Sequence, residues 1–191
     1  MADDLGSGGV QVHAEAERVI RFWLDEVPAD KRFAKDDALD TQIRDRFAAL
    51  REAVLKDPEP WRADGRTTLA AIILLDQFSR NLFRGDARAF AADPIAIGLT
   101  RLALERGWDA AMSGEERQFL YMPFMHSEDE ADQRRGVRLF EQVDNPQALD
   151  FARRHLEQIE RFGRFPQRND ALGRDTTPEE AAFMAQPGAT F

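Results

Sequence analysis

The chain has 191 residues, and its 35 Asp and Glu against 26 Lys and Arg give a formal net charge of -9. A surface with this excess of acids repels the phosphate backbone, so we expect no nucleic-acid partner. The sequence has no cysteine, which excludes disulfides, thiolate metal ligands and a cysteine nucleophile, and which agrees with a reducing compartment.

The start of the sequence and its apolar runs predict how the chain is divided and where it resides. Residues 1–9 are acidic and rich in glycine, so we predict a disordered tail at residues 1–13 and one domain at residues 14–191. The longest apolar run, Leu69–Leu75, is far too short to cross a bilayer. Without a basic and then apolar leader, we expect a cytoplasmic protein with no membrane partner.

Helical signals recur through the whole domain, without stretches of alternating β-branched residues bounded by turns. We therefore predict an all-α fold. The first helix covers about Ala14–Glu26, and the second, about Asp37–Lys56, carries an apolar stripe on one face. The third begins near Thr67 or Thr68 as N-cap and continues to about Asn81. Apolar residues surround it almost completely, which places it in the middle of the bundle.

Capping residues mark the fourth and fifth helices. Asp93 is the predicted N-cap of the fourth helix, which ends at Gly107. Ser113 and Glu116 form a capping box for the fifth helix. That helix is apolar all round, so we predict that it is buried, with a kink or an early end at Pro123.

Further capping signals continue to the end of the chain. Ser127 and Glu130 form a second capping box, which opens a sixth helix that ends near Val143. The seventh helix covers about Gln147–Phe162, and Thr177 begins a short last helix. The expected architecture is a single-domain bundle of about eight helices.

One carboxylate interrupts the apolar surround of the third helix. Asp76 lies four residues after Ile72 and four residues before Arg80, the spacing at which side chains on a helix meet. A carboxylate in that position is costly unless it is paired. Asp76 is therefore either half of an ion pair that clamps the helix to a neighbour or a functional acid.

A dense run of reactive residue types follows the fifth helix. His126 is placed to act as an acid or base or as a metal ligand, with Glu128 or Asp129 orienting it. The spacing matches no established zinc pattern, so we predict no metal site. The alternative is structural, because acids are favoured at a helix N-terminus. His155 points inward from the seventh helix, either as a hydrogen-bonded core residue or as a partner of His126.

Two segments repeat an arginine-asparagine pair beside aromatic residues. Arg80 and Asn81 stand in the first segment, and Arg168 and Asn169 stand in the second, shortly after Arg164. Converging guanidiniums hold carboxylates or phosphates, and neighbouring phenylalanines stack on flat ligands. The alternatives are helix-ending chemistry and pairing of these arginines with the many acids of the chain.

These motifs resemble the signatures of domain-of-unknown-function family 924. They are Leu75–Asn81, Tyr121–Asp129 and Phe162–Asn169 together with Thr176–Glu180, and the likeness covers nearly the whole chain after residue 13. The resemblance implies a tetratricopeptide-like, antiparallel all-helical fold in a bacterial protein, and it brings no activity with it. Carried over position by position, the family pattern marks Asp76, Gln77, Arg80, Asn81, His126, Ser127, Glu128, Asp129, His155, Arg164, Arg168 and Asn169.

Two functional hypotheses follow, and neither calls for a cofactor. The first is a protein that binds a small anionic molecule or acidic peptide through a polar cluster in the bundle. The second is a hydrolase-type enzyme with His126 as acid or base, tuned by Asp76 or His155. A structural alternative is that these groups only stabilise the bundle. The predicted ligand-binding residues are Arg80, Asn81, Glu128, Asp129, Arg164, Arg168 and Asn169.

Overall fold

The structure of the protein is a computed structural model that describes residues 4–189. Over this range the chain is all-helical without strands and is organised around one hydrophobic core, which confirms the predicted fold class. None of the helices between residues 4 and 189 combines the length and the apolar character that crossing a bilayer requires. The α-helices are α1 (Asp4–Ile20), α2 (Asp37–Lys56), α3 (Gly65–Ile72), α4 (Ser79–Leu82), α5 (Asp93–Glu105), α6 (Gly114–Met125), α7 (Glu130–Phe140), α8 (Pro146–Phe162) and α9 (Pro178–Met184).

The first helix starts earlier than its apolar pattern indicated. α1 begins at Asp4 instead of near Ala14, so residues 4–13 are helical where the sequence favoured a tail. Residues 1–3 and 190–191 lie outside the described part of the chain, and disorder in residues 1–3 stays a prediction. α1 continues into a π-helical turn, Arg21–Glu26, which carries Phe22 and Trp23 into the core.

The central helical segment has a different cap and a different internal geometry from those predicted. Asp64, and neither Thr67 nor Thr68, is the N-cap of α3, because its carboxylate accepts the backbone N–H groups of Arg66 and Thr67. A wider, π-helical turn over Ile73–Phe78 then joins α3 to α4. All the residues from 67 to 79 are buried, so the predicted central position is confirmed.

The core is built from aromatic residues that pack on this central segment. The Phe78 ring lies 5.2 Å from Phe47 of α2 and 5.3 Å from Trp23, and Phe22 lies 4.9 Å from Phe47, measured between ring centroids. Such pairs add stabilisation beyond the apolar area that they bury. α1, α2, α5 and α6 all contact the central segment, which holds the π-helical turn in the interior.

The ends of α6 and α7 set the position of the polar residues discussed below. The capping box of Ser113 and Glu116 is confirmed, and α6 ends at Met125, shortly after Pro123. The second predicted capping box is wrong, because Asp129 caps α7 and accepts the backbone N–H of Asp132. α7 packs on both α6 and α8. The tetratricopeptide-like packing implied by the resemblance stays a prediction.

Candidate functional site

Asp76 lies in the π-helical turn between α3 and α4, and only 1% of its side chain is exposed. Its carboxylate Oδ1 is 2.9 Å from Nη1 of Arg80, the predicted partner one helical turn away. Nδ1 of His126 lies 2.8 Å from Oδ1 and 3.0 Å from Oδ2. The Gln77 side-chain amide also donates to Oδ2. This buried carboxylate is therefore fully paired, in a type of turn that is frequent at functional sites.

The charge states of Asp76 and His126 follow from this pairing. Burial raises the pKa of Asp76, but the charge of Arg80 and the contact with His126 outweigh burial and hold that pKa well below its usual value. Burial lowers the pKa of His126, and the neighbouring Asp76 offsets the decrease only in part. At neutral pH we therefore infer an ionised Asp76 and a neutral His126 whose Nδ1–H donates to it.

The second imidazole nitrogen of His126 is left for other chemistry. His126 is the C-cap of α6, and 14% of its side chain is exposed. Within residues 9–189 no side chain or backbone group forms a hydrogen bond with Nε2. With Nδ1 protonated, Nε2 carries the lone pair. An imidazole held in one tautomer by a buried carboxylate is the arrangement that general-base catalysis uses.

Two arginines from distant parts of the chain meet beside His126. Arg80 donates from Nη1 and Nη2 to the two carboxylate oxygens of Asp93, at 3.1 and 3.0 Å. Arg168 donates from Nη1 to Oδ2 of the same carboxylate at 3.4 Å. The prediction that Asp93 is an N-cap is wrong, because Ala92 holds that position and Asp93 is the first residue of α5. Its side chain instead joins the two guanidiniums.

Arg168 is fixed by aromatic rings as well as by Asp93. Its guanidinium carbon lies 4.5 Å from the ring centroid of Phe90 and 4.6 Å from that of Phe165. Its Nη2 donates to the backbone oxygen of His126 at 2.9 Å. Burial, together with the nearby charge of Arg80, lowers the pKa of Arg168 to about 10. Arg168 therefore stays charged at neutral pH and is held in one orientation.

His155 approaches His126 from α8, as one of the two alternatives proposed. The two imidazole centroids are 6.0 Å apart, and Phe165 covers the other side of His155 at 5.4 Å. The Nδ1 of His155 lies 2.7 Å from the backbone oxygen of Phe151. Burial, followed by the influence of His126, lowers the pKa of His155 to about 3. His155 is therefore a neutral, buried neighbour of the Asp76–His126 pair.

Glu128 and Asn169 hold the segment that carries Arg168. Glu128 accepts the backbone N–H of Phe165 at 2.8 Å and forms a two-point ion pair with Arg174, at 2.8 and 3.0 Å. Nε of Arg174 donates to Oδ1 of Asn169 at 3.0 Å. Glu128 and Asn169 thus border the cluster, and they position Arg168.

The remaining predicted ligand-binding residues have partners elsewhere. Arg164 pairs with Glu180, with donor-acceptor distances of 2.6 and 2.9 Å, as the alternative of internal pairing anticipated. Asn81 donates to Asp40 at 2.7 Å, and Asp129 caps α7. The structure therefore brings together Asp76, Arg80, His126, His155 and Arg168, next to Glu128 and Asn169, and it leaves out Asn81, Asp129 and Arg164.

Two members of this region were not singled out as site residues from the sequence, Asp93 and Arg174. Asp93 was interpreted as a helix cap, and Arg174 was not among the predicted ligand-binding residues. The partners of Arg174 are Glu128, Phe165 and Asn169, which lie 46, 9 and 5 residues away in sequence. For the described residues, no group of three His, Asp or Glu side chains is arranged to hold a metal ion.

Comparison with known proteins finds one similar solved structure and one matching family model, both described as of unknown function. A solved structure of a protein of unknown function from Agrobacterium tumefaciens superposes with a TM-score of 0.86 at 41% sequence identity, over 90% of this chain and 97% of that chain. No match was found among curated proteins. The sequence model of DUF924, bacterial proteins of unknown function, matches residues 19–188, which confirms the resemblance found in the motifs. The chain therefore belongs to the DUF924 family.

Proposed function

We propose that the protein binds a small anionic molecule or the acidic end of a peptide at the cluster of Arg80, Asp93, His126 and Arg168, termed here the anion site. The observation that carries the proposal is the convergence of two guanidiniums on one carboxylate. Bidentate contacts between arginines and oxyanions are strong and geometrically specific. The residues of the anion site lie at positions 80, 93, 126 and 168, so they come together only in the folded chain.

Access and preorganisation support this proposal. Arg80 keeps 21% of its side chain exposed and Arg168 keeps 11%, so neither arginine is sealed from solvent. Arg168 is already immobilised between Phe90 and Phe165. A ligand therefore orders few side chains when it binds, which favours affinity.

Isothermal titration calorimetry with citrate, glutamate, inorganic phosphate and an acidic peptide tests the proposal. We expect Arg168→Ala to weaken binding by about ten- to hundredfold, because a hydrogen bond between charged groups contributes about 1.5–3 kcal/mol. Arg168→Lys keeps the charge but lacks the planar, two-point geometry of a guanidinium, so its affinity should lie between those of the wild type and Arg168→Ala. Arg106→Ala, a change at an exposed arginine of the surface, should bind like the wild type. Absence of binding by the wild type, or equal binding by Arg168→Ala, contradicts the proposal.

A second candidate function is hydrolysis of an anionic substrate, which the contact between Nδ1 of His126 and Asp76 favours. In this hypothesis Nε2 takes a proton from water, whose oxygen bonds to the carbonyl carbon of an ester. The proton then passes to the leaving alkoxide as the ester bond breaks. The guanidiniums of the anion site would hold the acidic part of the substrate.

Chromogenic esters that carry a carboxylate test the catalytic hypothesis. His126→Gln should reduce kcat by about 10²–10⁴-fold, the usual contribution of a general base. Activity of the wild type should rise with pH through a pKa below the ordinary value of 6.5, because burial lowers the pKa of His126. His13→Gln changes a histidine that pairs with Asp64 away from the anion site and serves as the control. Equal rates for His126→Gln and the wild type would exclude this mechanism.

A further inference from the structure

Asp93 differs from other aspartates at helix starts in what its carboxylate does. Asp36, Asp64 and Asp129 each accept backbone N–H groups as N-caps. Asp93 caps nothing, since Ala92 is the N-cap of α5 and has no side-chain acceptor. Within the described residues, the hydrogen bonds of the Asp93 carboxylate all come from Arg80 and Arg168. The Asp93 carboxylate therefore pairs with the two arginines and does not cap α5.

The position of Asp93 is that of a bound carboxylate. Both of its oxygens accept hydrogen bonds from the two terminal nitrogens of Arg80 at nearly equal distances, an end-on, two-point arrangement of the kind in which arginine recognises free carboxylates. Oδ2 also accepts a hydrogen bond from Nη1 of Arg168 at 3.4 Å. Nineteen per cent of the Asp93 side chain is exposed. The space that its carboxylate fills between Arg80 and Arg168, termed here the notch, is therefore partly open to solvent.

The charges of the anion site make Asp93 a competitor of any ligand. Arg80 and Arg168 carry two positive charges, and Asp76 and Asp93 carry two negative charges, beside a neutral His126. An arriving anion therefore meets a site without net charge while Asp93 is in place. Once Asp93 is gone, one net positive charge remains between the arginines, and Coulomb attraction over a few ångströms is large in a partly buried site.

We propose that Asp93 holds the place of the ligand's carboxylate, so that the natural ligand is a small carboxylic acid whose acid group displaces Asp93 from the arginines. This inference rests on the proposed function and deepens it by naming the ligand class. It also makes Asp93 the residue that sets the affinity threshold, because a ligand binds only if its remaining contacts compensate for that displacement.

Chemical rescue by acetate tests the inference. Asp93→Ala empties the notch, and acetate is the smallest carboxylate that fills it. In calorimetric titrations we expect acetate to bind Asp93→Ala at least about tenfold more tightly than the wild type, and to raise the melting temperature of the variant more. Asp144→Ala removes the same charge at an exposed position and should behave like the wild type. The affinity of the same variant for inorganic phosphate, which is tetrahedral, should increase less than its affinity for acetate.

The double variant Asp93→Ala/Arg168→Ala should lose the gain in acetate affinity, because one wall of the notch is removed. If Asp93→Ala does not fold, Asp93→Asn keeps the size and removes the charge, and a gain in acetate affinity is expected there as well. Unchanged or weaker acetate binding by the Asp93 variants, or a gain that persists in the double variant, overturns the inference. Binding of citrate or glutamate by the wild type would then still support the proposed function, whereas no binding by any of these proteins overturns both.

Discussion

Replacement of Asp76 by alanine is expected to lower the free energy of unfolding by about 3–5 kcal/mol, the cost of removing one partner from a buried ion pair. The side chain is 1% exposed, and both Arg80 and His126 direct nitrogen atoms at it. Alanine leaves the guanidinium with Asp93 and the backbone oxygen of residue 76, and leaves Nδ1 of His126 without its acceptor. Urea denaturation followed by circular dichroism measures the loss.

A matched control separates the ion pair from a general charge effect. Asp144→Ala removes the same charge from an exposed position, and we expect a change within about 0.5 kcal/mol. Asp76→Asn keeps the shape of the side chain but turns one acceptor into a donor, so it should also be destabilising. A loss below about 1 kcal/mol for Asp76→Ala would mean that water or a rearranged Arg80 satisfies the site, contrary to the buried geometry.

Asp76 variants also distinguish a functional cluster from one that only stabilises the bundle. If the polar groups are purely structural, Asp76→Asn is less stable, yet each folded molecule binds ligands as the wild type does. If the anion site is functional, its affinity changes as well, because Asp76 orients both Arg80 and His126. Affinity must therefore be measured under conditions in which the variant is fully folded.

The helices were predictable from the sequence because their signals are local. An apolar stripe and its flanking caps lie within one or two turns of each other, as in α2, whose bounds match the prediction. The contact of Asp76 with Arg80 was predictable for the same reason, since four residues separate the two on one helical segment.

The π-helical turn and the cap of α3 were not predictable. A π-helical turn inserts one residue and shifts the apolar stripe, but the segment of residues 67–79 is buried on all sides and shows no stripe in which a shift could be read. The two neighbouring threonines at its start resembled N-caps, whereas Asp64 supplies the cap three residues earlier. Local patterns with several candidate caps do not determine which one the chain uses.

The anion site depended on contacts that sequence spacing does not contain. His126 is 50 residues from Asp76, and Arg168 is 75 residues from Asp93. Residue types could nominate His126, Arg80 and Arg168, because ionisable groups beside apolar helices are costly without partners. Asp93 was not predicted as a site residue, because an aspartate before a proline at a helix start is already explained as an N-cap.

Acidification from about pH 6.5 to about pH 4.5 is expected to lower the free energy of unfolding by about 2–3 kcal/mol, through neutral histidines that must stay unprotonated in the folded state. The pKa of His155 is lowered to about 3 in the folded protein, against 6.5 when unfolded. Between these values the unfolded chain binds a proton that the folded chain does not, so stability falls as pH falls, by about 1.4 kcal/mol per pH unit. His126, whose pKa is also lowered, acts in the same direction.

Several carboxylates begin to titrate at the acidic end of this pH window, and His13 acts with the opposite sign. The pKa values of Asp76, Glu17, Glu26, Glu128 and Glu180 are lowered, so the stability that these carboxylates contribute begins to be lost near pH 4.5 and is lost mainly in more acidic solutions. The pKa of exposed His13 is raised, so its contribution is complete below about pH 6.5 and is lost as pH rises.

Urea denaturation of the wild type and of His155→Asn at the two pH values therefore separates the buried histidine from the carboxylates. His155→Asn, which cannot titrate in this range, should remove about 2 kcal/mol of the decrease, whereas His13→Gln should leave it unchanged. Equal stability at both pH values would mean that His155 and His126 bind protons as readily in the folded protein as in the unfolded chain. Nε2 of His126 would then be free to accept a proton from water only above about pH 6.5, contrary to the lowered pKa on which the catalytic hypothesis relies.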